Sequence, residues 1–364
     1  MPTQHDAARR IEPADFAPRL VEWQRAHGRH DLPWQRSRDP YRVWVSEIML
    51  QQTRVDTVLR YYEPFLQRFP ELRALAAAPL DEVLARWSGL GYYRRARNLH
   101  ACARQLVEQH GGEFPRSREQ LQRLAGIGRS TAAAIAAFCF GQREAILDAN
   151  VQRVLGRAFA LPRPADAASL RAMWELAQSL LPPQDIEAYT QGLMDLGATL
   201  CTPTQPDCAR CPYTADCPRG GDAQAAQAVT ARTPRAPRAA RRTRSLVLLW
   251  ARSEDAGATR VWLQRRDAHG IWPGLWCLPG HDDAAAALQQ ARTLGEVVAQ
   301  SEAAPRRHVL THMDLLLHPL HVLVRAHGMA RDDGEPGGWY ALDEALRLGL
   351  PAPVRRLLRE AQPD

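Results

Sequence analysis

Apolar residues recur at helical spacing through the first part of the chain, from its start to about residue 220. Val55, Val58 and Tyr62 would lie on one face of a helix, and glycines and prolines divide this part into short helical segments. No run in this part has a convincing strand pattern. The sequence therefore predicts an all-α region over residues 1–220.

The pattern changes at residue 245. Runs that predict strands cover residues 245–250, 260–265, 309–313 and 320–324, and a helical pattern covers residues 284–300. Residues 245–364 are therefore predicted to form a second, α+β domain. Between the two, residues 221–244 are rich in arginine, alanine and proline and poor in large apolar side chains, which predicts a flexible linker.

The composition limits the class of protein but does not identify it. The chain has 364 residues, of which 45% are hydrophobic, and no uninterrupted apolar stretch reaches the ~18–20 residues of a membrane span. We expect a soluble protein of the cytoplasm, whose net charge of +7 suits a polyanionic partner. All 47 basic residues are arginines, so no lysine side chain is available as a Schiff-base nucleophile.

Four of the seven cysteines lie within one short segment: Cys201, Cys208, Cys211 and Cys217. Thiolates on such short tethers usually share a metal, and the residues between them are loop formers. A pair of disulfides is the alternative, which a cytosolic setting disfavours. The spacing leaves zinc and an iron–sulfur cluster both open.

Residues 121–135 have the pattern of a helix, a glycine turn and a second, alanine-rich helix. The first helix is predicted to end at Leu124, Gly126 and Gly128 to form the turn, and the second helix to begin near Ser130. The backbone N–H groups of residues 127–129 would then point outward beside a helix N-terminus, an arrangement that suits one DNA phosphate. The alternative is an ordinary turn between two core helices.

Asp148 comes just before a predicted helix over residues 151–159. A carboxylate at a helix start is usually an N-cap, and this interpretation competes strongly with a catalytic one.

These motifs occur together with two further segments. Residues 44–53 are Trp-Val-Ser-Glu-Ile-Met-Leu-Gln-Gln-Thr, and residues 89–98 are Gly-Leu-Gly-Tyr-Tyr-Arg-Arg-Ala-Arg-Asn. In this order the motifs resemble the helix-hairpin-helix DNA glycosylases of the endonuclease III superfamily, and within it the adenine glycosylases. The similarity runs from about Leu32 to Cys217 and resumes more weakly in the C-terminal domain.

The resemblance implies two helical subdomains with the active site in the cleft between them. It also implies a [4Fe-4S] cluster on the four cysteines, with Arg210 as a phosphate contact. The implied partner is duplex DNA that contains adenine opposite 8-oxoguanine or guanine. We expect a monomer, associated with the nucleoid if the source is a bacterium.

Adenine is a poor leaving group, and two carboxylates can divide the work of removing it. The resemblance assigns Glu47 as the general acid that protonates adenine N7, and Asp148 as the ionised group that stabilises the cationic sugar. The alternative for Glu47 is an exposed carboxylate on a helix. Its neighbours Val45, Ile48 and Met49 make the segment too apolar for a plain solvated face.

The resemblance also assigns DNA contacts, because the base must leave the stack before it is reached. Gln52 and Tyr92 would fill or widen the duplex beside the flipped adenine, Leu90 would lie near the lesion strand, and Trp34 would line the adenine pocket. Core packing is the alternative for Leu90 and Trp34. A solvated surface position is the alternative for Gln52 and Tyr92.

Ser130 separates two branches of the superfamily. Bifunctional relatives have a lysine at this hairpin position, which attacks the sugar and cleaves the strand, whereas this chain has a serine and no lysine. We therefore predict a monofunctional glycosylase that leaves an abasic site. Two departures from the family pattern, Ala125 in place of proline and Ala149 in place of glycine, are expected to be tolerated.

The C-terminal domain resembles the Nudix-related recognition domain of the adenine glycosylases. The glutamate-rich box that holds magnesium in Nudix hydrolases is absent, so we expect no pyrophosphate hydrolysis. Relatives recognise 8-oxoguanine with Phe-Ser-His, and here the segment is Leu310, Thr311 and His312. The hydroxyl and the imidazole are kept, and a core or turn histidine is the alternative for His312.

Three hypotheses follow. The leading one is an adenine glycosylase that acts opposite 8-oxoguanine. A thymine or uracil mismatch glycosylase of the same superfamily is the second, and the C-terminal domain argues against it. A catalytically silent DNA-binding protein is the third, and the retention of Glu47 and Asp148 argues against it.

Overall fold

The computed structural model describes residues 10–218, 242–255, 258–267, 269–310, 313–326 and 337–360. They fall into two compact units, the first within residues 1–76 and 101–235 and the second within residues 77–100 and 236–364. Most of the predicted linker, together with Thr311 and His312, lies outside the described residues. In the part of the chain that is described, no helix is both long and apolar enough to cross a membrane.

The helices up to the cysteine segment are α1 (Pro13–His27), α2 (Pro40–Leu50), α3 (Val55–Arg68), α4 (Leu72–Ala77), α5 (Leu80–Trp87), α6 (Arg94–His110), α7 (Arg118–Leu121), α8 (Arg129–Phe140), α9 (Ala149–Ala158), α10 (Ala167–Ser179) and α11 (Ile186–Asp195). Two 3₁₀ helices cover Pro33–Arg36 and Cys208–Arg210, and a π-helical turn covers Leu196–Leu200. The predicted all-α character of this region is confirmed.

The core of the first unit lies between α1 and helices α8 to α11, and it extends to the cysteine segment. The ring of Phe16 on α1 stacks on the ring of Tyr213 with centroids 4.8 Å apart. The Tyr213 hydroxyl donates a hydrogen bond of 2.6 Å to the carbonyl of Phe16. Each fully buried aromatic ring stabilises the fold by about 1.5–3 kcal/mol, so the cysteine segment is an integral part of this core.

The second unit is built on one mixed sheet. Its strands are β1 (Arg242–Asp255), β2 (Ala258–Arg265), β3 (Trp276–Cys277), β4 (Gly280–His281), β5 (Gly295–Glu302), β6 (Arg306–Val309), β7 (Met313–Ala326) and β8 (Gly337–Ala341). The long strands β1 and β7 pair in parallel at the centre, and the remaining pairings are antiparallel. Helices α12 (Ala284–Leu294), α13 (Leu342–Ala345) and α14 (Ala352–Glu360) accompany the sheet.

The predicted helix over residues 284–300 is wrong in its second part. Helix α12 ends at Leu294, and residues 295–302 form β5, which pairs with β7. Gly295 has φ of 154°, a conformation that favours glycine and ends the helix. The β-branched Val297 and Val298 then favour the strand.

Two predicted boundaries in this domain are also wrong. Strand β1 begins at Arg242 and pairs Arg242 with Met313, so residues 242–244 belong to the sheet and not to the linker. The predicted strand over residues 309–313 combines the end of β6 with the start of β7. Leu310, which follows β6, is not part of a strand, and Thr311 and His312 lie outside the described residues.

Residues 77–100 belong to the second unit, although the sequence assigned them to the helical domain. The Trp276 Nε1–H donates to Asp81 at 3.3 Å, and the Arg97 guanidinium donates to the Pro273 carbonyl at 2.8 Å. Apolar periodicity identifies a helix but not its packing partner, so the sequence pattern contains no signal for this arrangement.

Candidate active site

Glu47 lies near the end of α2, a helix that is otherwise largely buried. The Asp39 side chain caps its first turn by accepting from the Arg42 N–H at 2.9 Å. Trp44 and Val45, which precede Glu47 on the helix, are fully buried, whereas Glu47 itself is half-buried. Burial, and to a smaller extent the negative charge of Asp148, raises the pKa of Glu47 from 4.5 to about 8. Glu47 is therefore protonated at neutral pH.

Asp148 is exposed and is the N-cap of α9. Its Oδ1 accepts a hydrogen bond of 2.8 Å from the Val151 N–H. The capping interpretation is thus confirmed, and it is compatible with a chemical role because the cap fixes the direction of the carboxylate. The negative charge of Asp148 contributes to the raised pKa of Glu47, so the two carboxyl groups interact electrostatically.

The glycine hairpin differs in detail from its prediction. Helix α7 ends at Leu121 rather than Leu124, and a turn with Gly126 at φ 77° leads to Gly128, the N-cap of α8. The Ile127 N–H donates to the Leu124 carbonyl at 3.2 Å, so it is used within the turn and does not point outward. A Cβ at Gly128 would meet no atom within 4 Å, which leaves the N-terminus of α8 open.

Ser130 connects the hairpin to the catalytic candidate Asp148. Its Oγ accepts a hydrogen bond of 3.0 Å from the backbone N–H of Leu147. The end of α2 is joined to the same helix, since Gln51 Nε2 donates to Thr131 Oγ1 at 3.3 Å. These two bonds join the segments that contain Glu47 and Asp148, and sequence reasoning did not identify them.

Two further candidates belong to the first unit. Gln52 is the second residue after α2, is exposed and has φ of 57°, an unusual conformation for a residue other than glycine. Trp34 is buried in the first 3₁₀ helix, where its ring meets that of Tyr62 edge-on at 5.4 Å between centroids.

Leu90 and Tyr92 belong to the second unit. Leu90 is buried with 6% exposure, whereas Tyr92 is 45% exposed and has φ of 47°. The Arg95 guanidinium lies over the Tyr92 ring, 5.4 Å from its centroid. Of the two, Tyr92 offers the larger accessible surface to a ligand.

All four cysteines of the segment are free thiols, so the disulfide alternative is wrong. Burial raises the pKa of Cys211 to about 12, and Cys201, Cys211 and Cys217 pack against the same core of the first unit. Among the residues described, no three His, Cys, Asp or Glu side chains form a group that could hold a metal ion. Four free thiols within one short segment are nevertheless the type of donor that a [4Fe-4S] cluster uses.

Two arginines of α9 bind the cysteine segment, and the sequence analysis missed both. Arg153 donates to the Cys201 carbonyl at 2.7 Å and to Gly197 at 2.6 Å. Arg157 is almost fully buried and donates to Cys201 Sγ at 3.3 Å and to the Thr202 carbonyl at 2.7 Å. Their i, i+4 spacing on the helix after Asp148 is the signal that was available in the sequence.

Arg210 lies in the second 3₁₀ helix, between two of the cysteines. Its side chain is 76% exposed and 3.6 Å from Asp207. A pair this exposed contributes little to stability, so the guanidinium remains available to another anion.

Comparison with known proteins defines the class. Residues 45–179 match the HhH-GPD superfamily base excision DNA repair proteins, and residues 248–360 match the NUDIX domain. The helical unit with its glycine hairpin and carboxylate pair is therefore a base excision repair glycosylase domain. A thermostable thymine-DNA glycosylase has a similar structure, with a TM-score of 0.52 and 30% identity over 56% of this chain and 94% of that chain.

Similarity over the whole chain gives the particular family. The adenine DNA glycosylase of Buchnera aphidicola subsp. Baizongia pistaciae is 32% identical over 347 residues, which cover 94% of this chain and 95% of that protein. The human adenine DNA glycosylase is 45% identical over 212 residues, which cover 56% of this chain and 39% of that protein. The chain belongs to the adenine DNA glycosylase family.

Proposed function

We propose that the protein hydrolyses the N-glycosidic bond of adenine paired with 8-oxoguanine or guanine in duplex DNA, and that it leaves an abasic site. The observation that supports this most directly is the pair of carboxyl groups, in which Glu47 has a pKa of about 8. A general acid is most effective when its pKa lies near the working pH, and this one holds its proton at pH 7.

Glu47 donates that proton to N7 of the extruded adenine, which turns the base into a better leaving group. The bond between the base and C1′ then breaks, and the electron pair leaves with the base. Asp148 stabilises the positive charge that develops on the sugar, and a water molecule adds to C1′. The proton lost by this water returns to Glu47, so the enzyme ends in its starting state.

The chain contains no lysine that could attack the sugar and cleave the strand. The hairpin position that bifunctional relatives fill with lysine holds Ser130, whose hydroxyl is bonded to the Leu147 N–H. The product is therefore an intact strand with one abasic site.

DNA contacts are proposed for both units. In the first unit, the glycine hairpin binds one phosphate through Gly126, Gly128 and Ser130, and Arg210 binds the DNA backbone elsewhere. Gln52 enters the duplex, and Trp34 lines the pocket for the extruded base. In the second, Leu90 and Tyr92 contact the duplex, and Thr311 and His312 recognise the 8-oxoguanine. The exposure of Gln52, Tyr92 and Arg210 and the open N-terminus of α8 support these roles.

The four thiols of Cys201, Cys208, Cys211 and Cys217 would hold a [4Fe-4S] cluster. Such a cluster supplies cross-links that fix the loop, and no step of the hydrolysis involves it. Arg157 would donate to one ligand sulfur through its contact with Cys201 Sγ. Iron and sulfide analysis of the purified protein, compared with a Cys211→Ala variant, tests this assignment.

A panel of duplexes tests the substrate. Under single-turnover conditions, adenine opposite 8-oxoguanine and adenine opposite guanine are offered beside thymine opposite guanine and uracil opposite guanine. We expect breaks at adenine after hot alkali and none without alkali. Cleavage of the thymine or uracil duplexes, with none at adenine, would instead support the mismatch glycosylase alternative.

A further inference from the structure

The segment that contains Leu90 and Tyr92 has an unusual backbone. Gly89, Gly91 and Tyr92 have φ values of 112°, 71° and 47°. The two glycines adopt positive φ without strain, whereas Tyr92 keeps this conformation only where surrounding contacts determine it. Trp87 Nε1 donates to the Gly91 carbonyl at 3.1 Å, and the Arg95 guanidinium donates to the Leu90 carbonyl at 3.2 Å.

Residues near the end of the chain hold the start of this segment. The Ser88 hydroxyl donates to the Leu350 carbonyl at 2.8 Å, and the Tyr93 hydroxyl donates to the same carbonyl at 3.1 Å. Residues 88 and 93 flank Leu90 and Tyr92, so one carbonyl of the second unit fixes both ends of the segment.

Arg355 on α14 organises the chain around that carbonyl. Its two terminal nitrogens donate to the carbonyls of Leu346 at 2.7 Å and Leu348 at 2.9 Å. Its Nε donates to Ser88 Oγ at 3.0 Å. The guanidinium is planar and its donors have fixed directions, so these bonds set the position of Ser88 relative to residues 346–350.

We propose that Arg355 is a positioning residue for the segment that enters the DNA duplex, and that it acts through Ser88. This inference rests on the proposed function, because it requires Leu90 and Tyr92 to contact the duplex. The last helix of the Nudix-like unit then contributes to base extrusion on any adenine mispair. That contribution is separate from reading the 8-oxoguanine.

Positioning of the inserted segment and recognition of 8-oxoguanine affect the rates on the two duplexes differently. A residue that recognises 8-oxoguanine affects the duplex with 8-oxoguanine more than the duplex with guanine. A residue that positions the inserted segment slows both duplexes by the same factor, since the same distortion precedes both reactions.

The experiment uses the full-length protein and the variants Ser88→Ala, Ser88→Thr, Arg355→Ala and Arg359→Ala. Arg359 is an exposed arginine on the same helix and is the matched control. Two quantities are measured on each duplex: the single-turnover rate of adenine release, and the fluorescence of a 2-aminopurine placed beside the adenine, which rises when its neighbour leaves the stack. Thermal unfolding of each variant separates loss of fold from loss of positioning.

We expect Ser88→Ala and Arg355→Ala to lower the rate on both duplexes by about five- to tenfold, the effect of losing one hydrogen bond that fixes a conformation. The increase in 2-aminopurine fluorescence should be smaller in the same two variants. Ser88→Thr, which keeps the hydroxyl, and Arg359→Ala should show the wild-type rate and the wild-type fluorescence increase. In a Tyr92→Ala background, Ser88→Ala has little further effect because the two act in one step.

Wild-type rate and fluorescence in Ser88→Ala, in a protein that removes adenine, would overturn this inference alone. A loss confined to the 8-oxoguanine duplex would also overturn it. Absence of adenine release by the wild type would overturn the proposed function, and the inference with it.

Discussion

Glu47 shows how a single side chain combines a chemical use with a cost in stability. The folded state raises the pKa of its carboxyl from an ordinary value of 4.5 to about 8, and burial is the largest cause. The folded protein therefore binds a proton that the unfolded chain releases between these two values. The contribution of this carboxyl to the free energy of unfolding is most favourable below pH 4.5, and it declines as the pH rises toward 8.

The Glu47→Gln variant is expected to be more stable than the wild type at pH 8.5. Glutamine keeps the shape and cannot ionise, so the gain is on the order of 2 kcal/mol, a discounted fraction of ~1.4 kcal/mol per pKa unit. Urea unfolding at pH 5 and pH 8.5 measures the difference, which should be small at pH 5. An equal gain at both pH values would show that ionisation is not its cause.

The sequence predicted the residues of this site but not the hydrogen bonds between them. The family resemblance assigned Glu47, its apolar neighbours argued against a solvated position, and the structure confirms that it is half-buried. The bond from the Leu147 N–H to Ser130 joins residues 17 positions apart, and no local pattern announces such a contact. The Ile127 N–H was expected to face outward, but the turn uses it internally.

At the scale of elements, α9 connects the site to the cysteine segment. Asp148 caps its first turn, and Arg153 donates to the Gly197 carbonyl in the π-helical turn that precedes Cys201. The turn packs closely on the helix, since a Cβ at Gly197 would lie 2.7 Å from the Cβ of Asn150. The position of Asp148 thus depends on a backbone contact with this turn.

Gly197→Ala is therefore expected to displace the first turn of α9. The added methyl group has no room, and we expect the free energy of unfolding to fall by about 1–3 kcal/mol. The rate of adenine release should fall with it, because Asp148 moves. Thermal or urea unfolding and single-turnover kinetics measure the two effects.

Ala198→Ser, an exposed neighbour in the same turn, is the control for this prediction. Wild-type stability in Gly197→Ala would contradict the close packing of the turn on α9.

The end of helix α12 was not predicted, although a glycine with special backbone geometry marks it. The prediction extended a helix through Gly295, although that glycine ends α12 and starts the strand that pairs with β7. The sequence is rich in alanine before Gly295 and contains two valines after it. The apolar content is similar on both sides, so it does not show where the helix ends. Only the sheet partner decides between the two structures.

At the scale of the whole molecule, the sequence predicted a helical domain followed by an α+β domain, and both architectures are confirmed. It assigned residues 77–100 to the first, in agreement with the family match over residues 45–179, although these residues pack within the second compact unit. The reason is physical: contacts such as Ser88 with Leu350 join residues 262 positions apart. Periodicity along the chain contains no information about them.

The net charge of +7 predicts that DNA binding weakens steeply with salt. If Arg210 binds one phosphate, Arg210→Ala lowers the slope of log K against log salt concentration by about one. The loss of affinity should be the same for duplexes of different sequence. Fluorescence anisotropy over a salt series measures both.

Arg171→Ala, which removes an exposed arginine of α10, is the matched control. An unchanged slope in Arg210→Ala would remove Arg210 from the DNA interface.

The central claim is that Glu47 acts as a proton donor, and the pH dependence of single-turnover adenine release tests it most directly. The donor works in its protonated form, so the rate should be sustained up to about pH 8 and then fall about tenfold per pH unit. Glu47→Gln should show no measurable release at any pH. A rate that stays constant from pH 7 to pH 9.5, or a Glu47→Gln variant with wild-type activity, would contradict the assignment.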